Sequence, residues 1–284
     1  MTNPLKIAIA SGKGGTGKTT LSVALAQVAS GTQRVSYLDC DVEEPNGGIF
    51  IKPQDSRTER VSVLVPTLDA DRCQGCGKCA ELCQFSAIVT IGKKALIFPE
   101  MCHNCGGCIR ICPNQALTEI PHEIGSLNIG TRGQIQVIEG LLDIGNAMAP
   151  PIIKAVKNFK TQSDLEIIDA PPGTSCPMVS TISDVDFVIL VTEPTPFGLN
   201  DLKLAVETVR VIGIPFGIVI NRSDIGDQKV VAYCRQEQLN LLLEIPSSRK
   251  IAEAYSCGES ICSAQPDLEI KLQNLLQDIS EVVK

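Results

Sequence analysis

A short apolar run at Leu5–Ala10 gives way to a glycine-rich stretch, and from Thr19 onward Leu21, Val23, Ala24, Leu25 and Val28 recur with the spacing of a helix face. The pattern predicts strand, loop and helix in that order. Further apolar runs of strand length end at Asp39 in RVSYLDCD, at Asp169 in DLEIID and at Asn221 in FGIVIN, with another in DVDFVILVTEP. A helical stretch from Gly198 to Val211 separates the last two strands along the chain. Strands alternating with helices in this way describe an α/β fold with a doubly wound, mostly parallel sheet.

The rhythm breaks between Asp39 and Asp169, where residues 66–120 are dense in cysteine and glycine and AIVTIGKKALIFPEM predicts a β-hairpin. Two domains are expected: a discontinuous α/β domain of residues 1–65 and 121–284, and an inserted α+β domain of residues 66–120. The tail carries a helical stripe at Leu268, Leu272, Leu275, Leu276, Ile279, Val282 and Val283. Its polar side bears Asp267, Glu269, Asp278 and Glu281, which anionic lipid would repel, so core packing is expected rather than membrane binding.

Composition narrows the class. With 44% hydrophobic and 20% charged residues, the chain has the makings of a packed core rather than of a disordered segment. A formal net charge of −7 and scattered Lys and Arg argue against a nucleic-acid surface, which leaves small molecules and proteins as partners. The opening MTNPLKIAIA lacks the basic and long apolar regions of a signal peptide, and no run of 18 apolar residues occurs. A cytoplasmic protein without stable membrane insertion is expected. In that reducing compartment thirteen cysteines point to metal binding rather than to disulfides.

The glycine-rich stretch is specific. Residues Gly12, Lys13, Gly14, Gly15, Thr16, Gly17, Lys18 and Thr19, followed by Thr20, complete the phosphate-loop pattern G-x-x-x-x-G-K-[ST] between a strand and a helix. Glycines let backbone N–H groups curl around phosphate oxygens, and the helix N-terminus adds positive potential. Lys18 is expected to neutralise β/γ charge, and Thr19 to ligate Mg²⁺. A nucleoside triphosphate with Mg²⁺ is therefore the expected ligand.

Two cysteine runs, CQGCGKCAELC and CHNCGGCIRICP, share the spacing C-x₂-C-x₂-C-x₃-C. This duplication resembles the bacterial two-cluster ferredoxins, in which the fourth cysteine of each run ligates the other run's cluster. That rule assigns Cys73, Cys76, Cys79 and Cys112 to one [4Fe–4S] cluster, and Cys102, Cys105, Cys108 and Cys83 to a second. Zinc is the competing choice, although its sites usually separate two close cysteine pairs by a longer spacer. Gln84 stands where proline follows the second run, which is expected to loosen the local turn. His103 lies between two ligands as an exposed or proton-coupled neighbour. Cys40, Cys176, Cys234, Cys257 and Cys262 remain, with burial as small apolar groups the commoner fate of such residues.

The early lysine gives a wider resemblance. KGGTGKTT resembles the deviant Walker A motif of the MinD/ParA/Mrp-type ATPases, and the whole chain resembles members of that superfamily with an inserted ferredoxin domain. The resemblance implies that the nucleotide is ATP, and it implies a homodimer, or a heterodimer with a related ATPase, in which Lys13 reaches the nucleotide of the other subunit. It further implies that Asp41 in switch I orients the attacking water, that Asp39 lies nearer the metal, that Asp169 is the Walker B acid of the Mg²⁺ shell, and that Asn221 hydrogen-bonds the adenine. ATP hydrolysis coupled to electron transfer towards a redox partner is the leading expectation. Metal-cofactor or cluster assembly on a client protein, and a MinD/ParA-like spatial organiser, are the alternatives.

Overall fold

Alternate residues of strand β1 (Leu5–Ala10) face opposite ways: Ile7 and Ile9 join one buried cluster, Ala8 and Ala10 another. The same alternation holds along β2 (Val35–Asp39), β8 (Leu165–Asp169), β9 (Phe187–Thr192) and β10 (Phe216–Asn221). Strands covered on both faces need apolar side chains at successive positions, which is why they read as unbroken apolar runs. The computed structural model describes residues 3–283. Residues 1, 2 and 284, at the edges of the expected α/β domain, lie outside the described residues.

The main sheet has nine strands in the order β11-β10-β9-β1-β8-β2-β7-β6-β3, with β3 at Gln54–Leu68, β6 at Leu117–Arg132, β7 at Ile135–Leu142 and β11 at Leu241–Ile245. From β11 to β7 all pairings are parallel. Strand β6 then runs antiparallel to both β7 and β3. On one face α5 (Ala149–Lys157), α6 (Cys176–Ile182), α7 (Pro196–Ile212) and α8 (Lys229–Gln236) bury Ile152, Met178, Val206 and Val230. On the other lie α1 (Lys18–Ala29), α9 (Arg249–Ser256), α10 (Ile261–Ala264) and α11 (Pro266–Val283). Helix α11 presents Leu268, Leu272, Leu275 and Ile279 to the core, as its stripe predicts, whereas Val282 is exposed. Among the described residues no helix is long and apolar enough to cross a membrane. The short helix α2 (Gly47–Ile51) follows β2.

The cysteine runs sit between β3 and β6. A small hairpin of β4 (Ile88–Ile91) and β5 (Lys94–Ile97) forms where the sequence predicts one, accompanied by α3 (Lys78–Leu82) and α4 (Gly107–Ile111). Strands β3 and β6 pair from Leu68↔Leu117 down to Gln54↔Thr131, so the ladder runs through positions 66 and 120 without a break. The segment between them buries Ala87, Ile88, Ala95 and Ala116, of which Ile88 and Ala95 cluster with Leu117 at the start of β6, and Cys73, Cys79, Cys83, Cys108 and Cys112 pack against that cluster. So small a core cannot hold the segment alone. The two runs also fold alike: Gly77 and Gly106, each following a cysteine, adopt φ of 82° and 67° to start α3 and α4. Gln84–Phe85 makes the same turn as Pro113–Asn114. The expected loosening at Gln84 is not found, because Ser86 and Gln115 both take positive φ, 54° and 48°, and close the two turns in the same way.

Candidate functional site

The carboxyl ends of β1, β2, β8, β9 and β10 meet at one edge of the sheet, the usual place for a ligand in a doubly wound fold. The loop from Gly12 to Gly17 leaves β1 there and passes into α1 at Lys18. Gly14 and Gly15 are exposed, and at Gly15 (φ 77°) an added side-chain carbon would meet open space. Gly17 takes φ 94°, and a side chain on it would collide with Asn221 Nδ2. That amide donates to the Thr16 carbonyl at 2.9 Å, so Asn221 braces the loop from the end of β10. Lys18 is buried, as is Thr16, whose hydroxyl has no hydrogen-bond partner. Thr20 lines a shallow cavity with Phe50 and Tyr255.

Three acids approach the loop from β2 and β8. Asp39 and Asp169 are buried and pair in register on neighbouring strands. Burial pushes both carboxyls above the ordinary range; the charge of Asp169 raises Asp39 further, and Lys18 opposes the rise at Asp169. Asp39 accepts hydrogen bonds from the backbone N–H groups of Asp41 (3.2 Å), Asn46 (3.2 Å) and Gly47 (3.0 Å), tying down the loop that leads into α2. Asp169 accepts from Tyr37 through Oδ2, while its buried Oδ1 has no partner. Asp41 is half-buried with a carboxyl raised to about 6, chiefly by burial and against the pull of Lys18. Two adjacent buried carboxylates, one with an orphaned oxygen, beside a hydroxyl-bearing helix start, suit a hard divalent cation with oxygen ligands. Thr19 and Asp169 would hold Mg²⁺ here, with Asp39 behind them.

Lys13 turns back within its own chain. Its Nζ lies 3.5 Å from Glu193 Oε2, and Arg222 binds the other oxygen of the same carboxylate at 2.6 Å. Glu193 was not singled out by the sequence, yet it follows β9 as Asp169 ends β8, an acid at the carboxyl end of an apolar run. Tyr37, inside β2, carried no such signal.

About ten residues of ladder away along β3 and β6, from the row of Thr58 and Asn128 to that of Leu68 and Leu117, the cysteines gather around two cavities. One is lined by Cys73, Cys76, Cys79 and Cys112, the other by Cys83, Cys102, Cys105 and Cys108. Each cavity thus takes three cysteines from one run and the fourth from the other. Among the described residues no three Cys, His, Asp or Glu side chains converge tightly enough for one metal ion; these thiols line cavity walls instead. Burial raises the Cys79 and Cys102 thiols and brings Cys108 to about 11, with neighbouring cysteines adding to each rise. The backbone N–H of Ala116 points to Cys112 Sγ at 3.3 Å. Such a donor set of soft thiolates with N–H···S support fits an iron–sulfur cluster in each cavity. His103 is half-buried, not exposed, because its ring stacks on Phe85 with centroids 3.4 Å apart. Of the other five cysteines, Cys40, Cys234 and Cys262 are buried, but Cys176 and Cys257 are exposed and do not follow the common fate.

Comparison with known proteins agrees with the nucleotide edge of the sheet. A family model described as the CobQ/CobB/MinD/ParA nucleotide binding domain matches residues 7–261. An uncharacterized protein of Methanocaldococcus jannaschii is 37% identical over 78% of this chain and 80% of its own length. An iron-sulfur cluster carrier protein of Aquifex aeolicus is 27% identical over 98% of this chain and 68% of its own. Among solved structures, the septum site-determining protein MinD of Pyrococcus horikoshii, complexed with Mg-ADP, superposes with a TM-score of 0.58 over 99% of both chains at 20% identity.

Proposed function

Because the chain belongs to the CobQ/CobB/MinD/ParA family of nucleotide-binding proteins, we propose that it is an ATP-hydrolysing iron–sulfur protein in which nucleotide state controls a two-cluster, ferredoxin-like insert of residues 66–120. The observation that carries this reading is the gathering of eight cysteines into two sets of four, each crossing between the runs, in the segment between strands β3 and β6 of the nucleotide-bearing sheet.

In this reading the residues Gly12 to Thr20 would wrap the phosphates of ATP, Lys18 would neutralise their charge, and Thr19 with Asp169 would hold the Mg²⁺ that offsets the rest of it. Asp41 orients the attacking water. Lys13 exchanges Glu193 for the phosphates of a second subunit, which makes hydrolysis depend on dimerisation. The Lys13–Glu193 pair is partly exposed and contributes about 1 kcal/mol or less, so a polyphosphate competes with it readily. Asn221 braces the loop and stands beside the place for the base. The two cysteine sets, Cys73, Cys76, Cys79 with Cys112 and Cys102, Cys105, Cys108 with Cys83, would each hold a [4Fe–4S] cluster, which would supply one-electron transfer. A cytoplasmic dimer passing electrons to a protein partner is the form this takes.

A second reading, cluster delivery to a client protein, draws support from relatives named as iron-sulfur cluster carriers. Anaerobic reconstitution separates the two. The proposed protein binds about eight iron per chain, turns over MgATP, loses turnover in Lys18→Ala, and keeps its clusters when mixed with an apo-ferredoxin. Rapid transfer of the clusters to that acceptor would move the assignment to delivery, and a chain that takes up no iron would overturn both.

A further inference from the structure

Beneath the phosphate loop three elements meet on one phenol. Tyr37 in β2 is fully buried; its hydroxyl lies 3.1 Å from Asp169 Oδ2 in β8 and 3.1 Å from Ser22 Oγ in α1. Its ring occupies the space a side chain at Gly47 would need, 2.3 Å from an ideal Cβ there. Gly47 is the first residue of α2, and its N–H is already tied to Asp39.

The proton count sets the direction of these bonds. An ionised Asp169 can only accept, and a phenol has one proton, so Tyr37 donates to Asp169. The Ser22 hydroxyl then has its single proton to share among the Tyr37 oxygen, the Thr19 carbonyl 3.0 Å away and the nearby Asp169 carboxylate. With Oδ2 engaged, the carboxylate cannot rotate freely, and Oδ1 is left buried without a well-formed hydrogen bond beside the first turn of α1, where the Thr19 hydroxyl favours the ionised carboxylate. A core position needing only volume would be filled by phenylalanine without the cost of burying a hydroxyl.

We propose that Tyr37 is a positioning residue for the metal shell: it holds the Asp169 carboxylate with one oxygen presented to Mg²⁺, and its ring packs against Gly47 of switch I, whose N–H is held by the neighbouring Asp39 carboxylate. The proposal rests on the ATPase reading above and names a residue that reading does not contain. Groups that orient a metal-binding carboxylate from behind change metal affinity by about 10–100-fold when removed.

The test is a titration of the full chain with a fluorescent ATP analogue, in EDTA and across a Mg²⁺ series. Tyr37→Phe is expected to leave affinity in EDTA unchanged while raising the Mg²⁺ concentration for half-maximal effect about tenfold. Ser22→Ala is expected to shift it less. A Tyr37→Phe protein with the Mg²⁺ dependence of the natural chain overturns the proposal; a natural chain whose nucleotide affinity ignores Mg²⁺ overturns the ATPase reading itself. Should Tyr37→Phe not fold, 3-fluorotyrosine labelling of the natural chain, which has three tyrosines, gives a second measurement. With Tyr233→Phe and Tyr255→Phe to assign the lines, the Tyr37 ¹⁹F resonance is expected to move when Mg²⁺ joins bound ADP, and a resonance that stays put contradicts the role.

Discussion

Lys13 has a carboxylate partner in its own chain, and in the proposed dimer that partner competes with the second subunit's nucleotide for the lysine. Glu193→Gln removes the anion that holds it and leaves Arg222 to solvent. The expected outcome is ATP turnover that reaches its plateau at lower protein concentration, by up to about fivefold, with unchanged nucleotide affinity in the monomer. Turnover against protein concentration measures this; a variant identical to the natural chain would assign Glu193 to Arg222 alone. Asp41 gives a pH prediction. Its folded carboxyl is raised to about 6, and only the ionised form can orient water, so kcat/KM is expected to fall as pH drops through about 6. Asp41→Asn should lose most activity and, in what remains, this acid limb. Residues named by a local pattern, Gly12 to Thr20 and the eight cysteines, were legible in the chain because the loop and the runs are contiguous. Tyr37 and Glu193 were not, since their partners lie 132 and 180 residues away in β8 and the phosphate loop.

At the scale of elements, the parallel strands were legible because burial on both faces leaves an unbroken apolar signature. Strands β3 and β6 were missed for the opposite reason: β3 is an edge strand whose first half is exposed and polar, from Gln54 to Arg60. Through them the cysteine module is fastened to the nucleotide edge. One register row crosses the sheet as Thr58, Asn128, Glu139, Asp39 and Asp169, and Glu139 accepts the N–H of Gly48 in α2 at 2.7 Å. Switch I thus contacts β7, which is one pairing from β6, the strand that leaves the module. Within the module, the proposed crosswise ligation has a sharp consequence. Cys112→Ser should remove the cluster of Cys73, Cys76 and Cys79 and spare the other, halving iron from about eight to about four per chain. Iron analysis with EPR checks this; loss of both signals would mean that each cluster is needed to fold the small core around Ile88, Ala95 and Leu117.

Over the whole molecule, a phosphate-binding edge and two thiol-lined cavities share one nine-stranded sheet, joined by the β3–β6 ladder rather than by a flexible linker. That continuity is what makes coupling between nucleotide and redox state the central claim. Thermodynamic reciprocity turns it into a number: if ATP binds one redox state tenfold more tightly than the other, the midpoint potential moves by about 60 mV for one electron. The direct measurement is an anaerobic EPR redox titration of the purified protein, nucleotide-free and with MgATP. The account expects at least one cluster potential to shift on MgATP binding and the shift to vanish in Lys18→Ala. Superimposable titrations, in a protein shown to have bound MgATP, would contradict it.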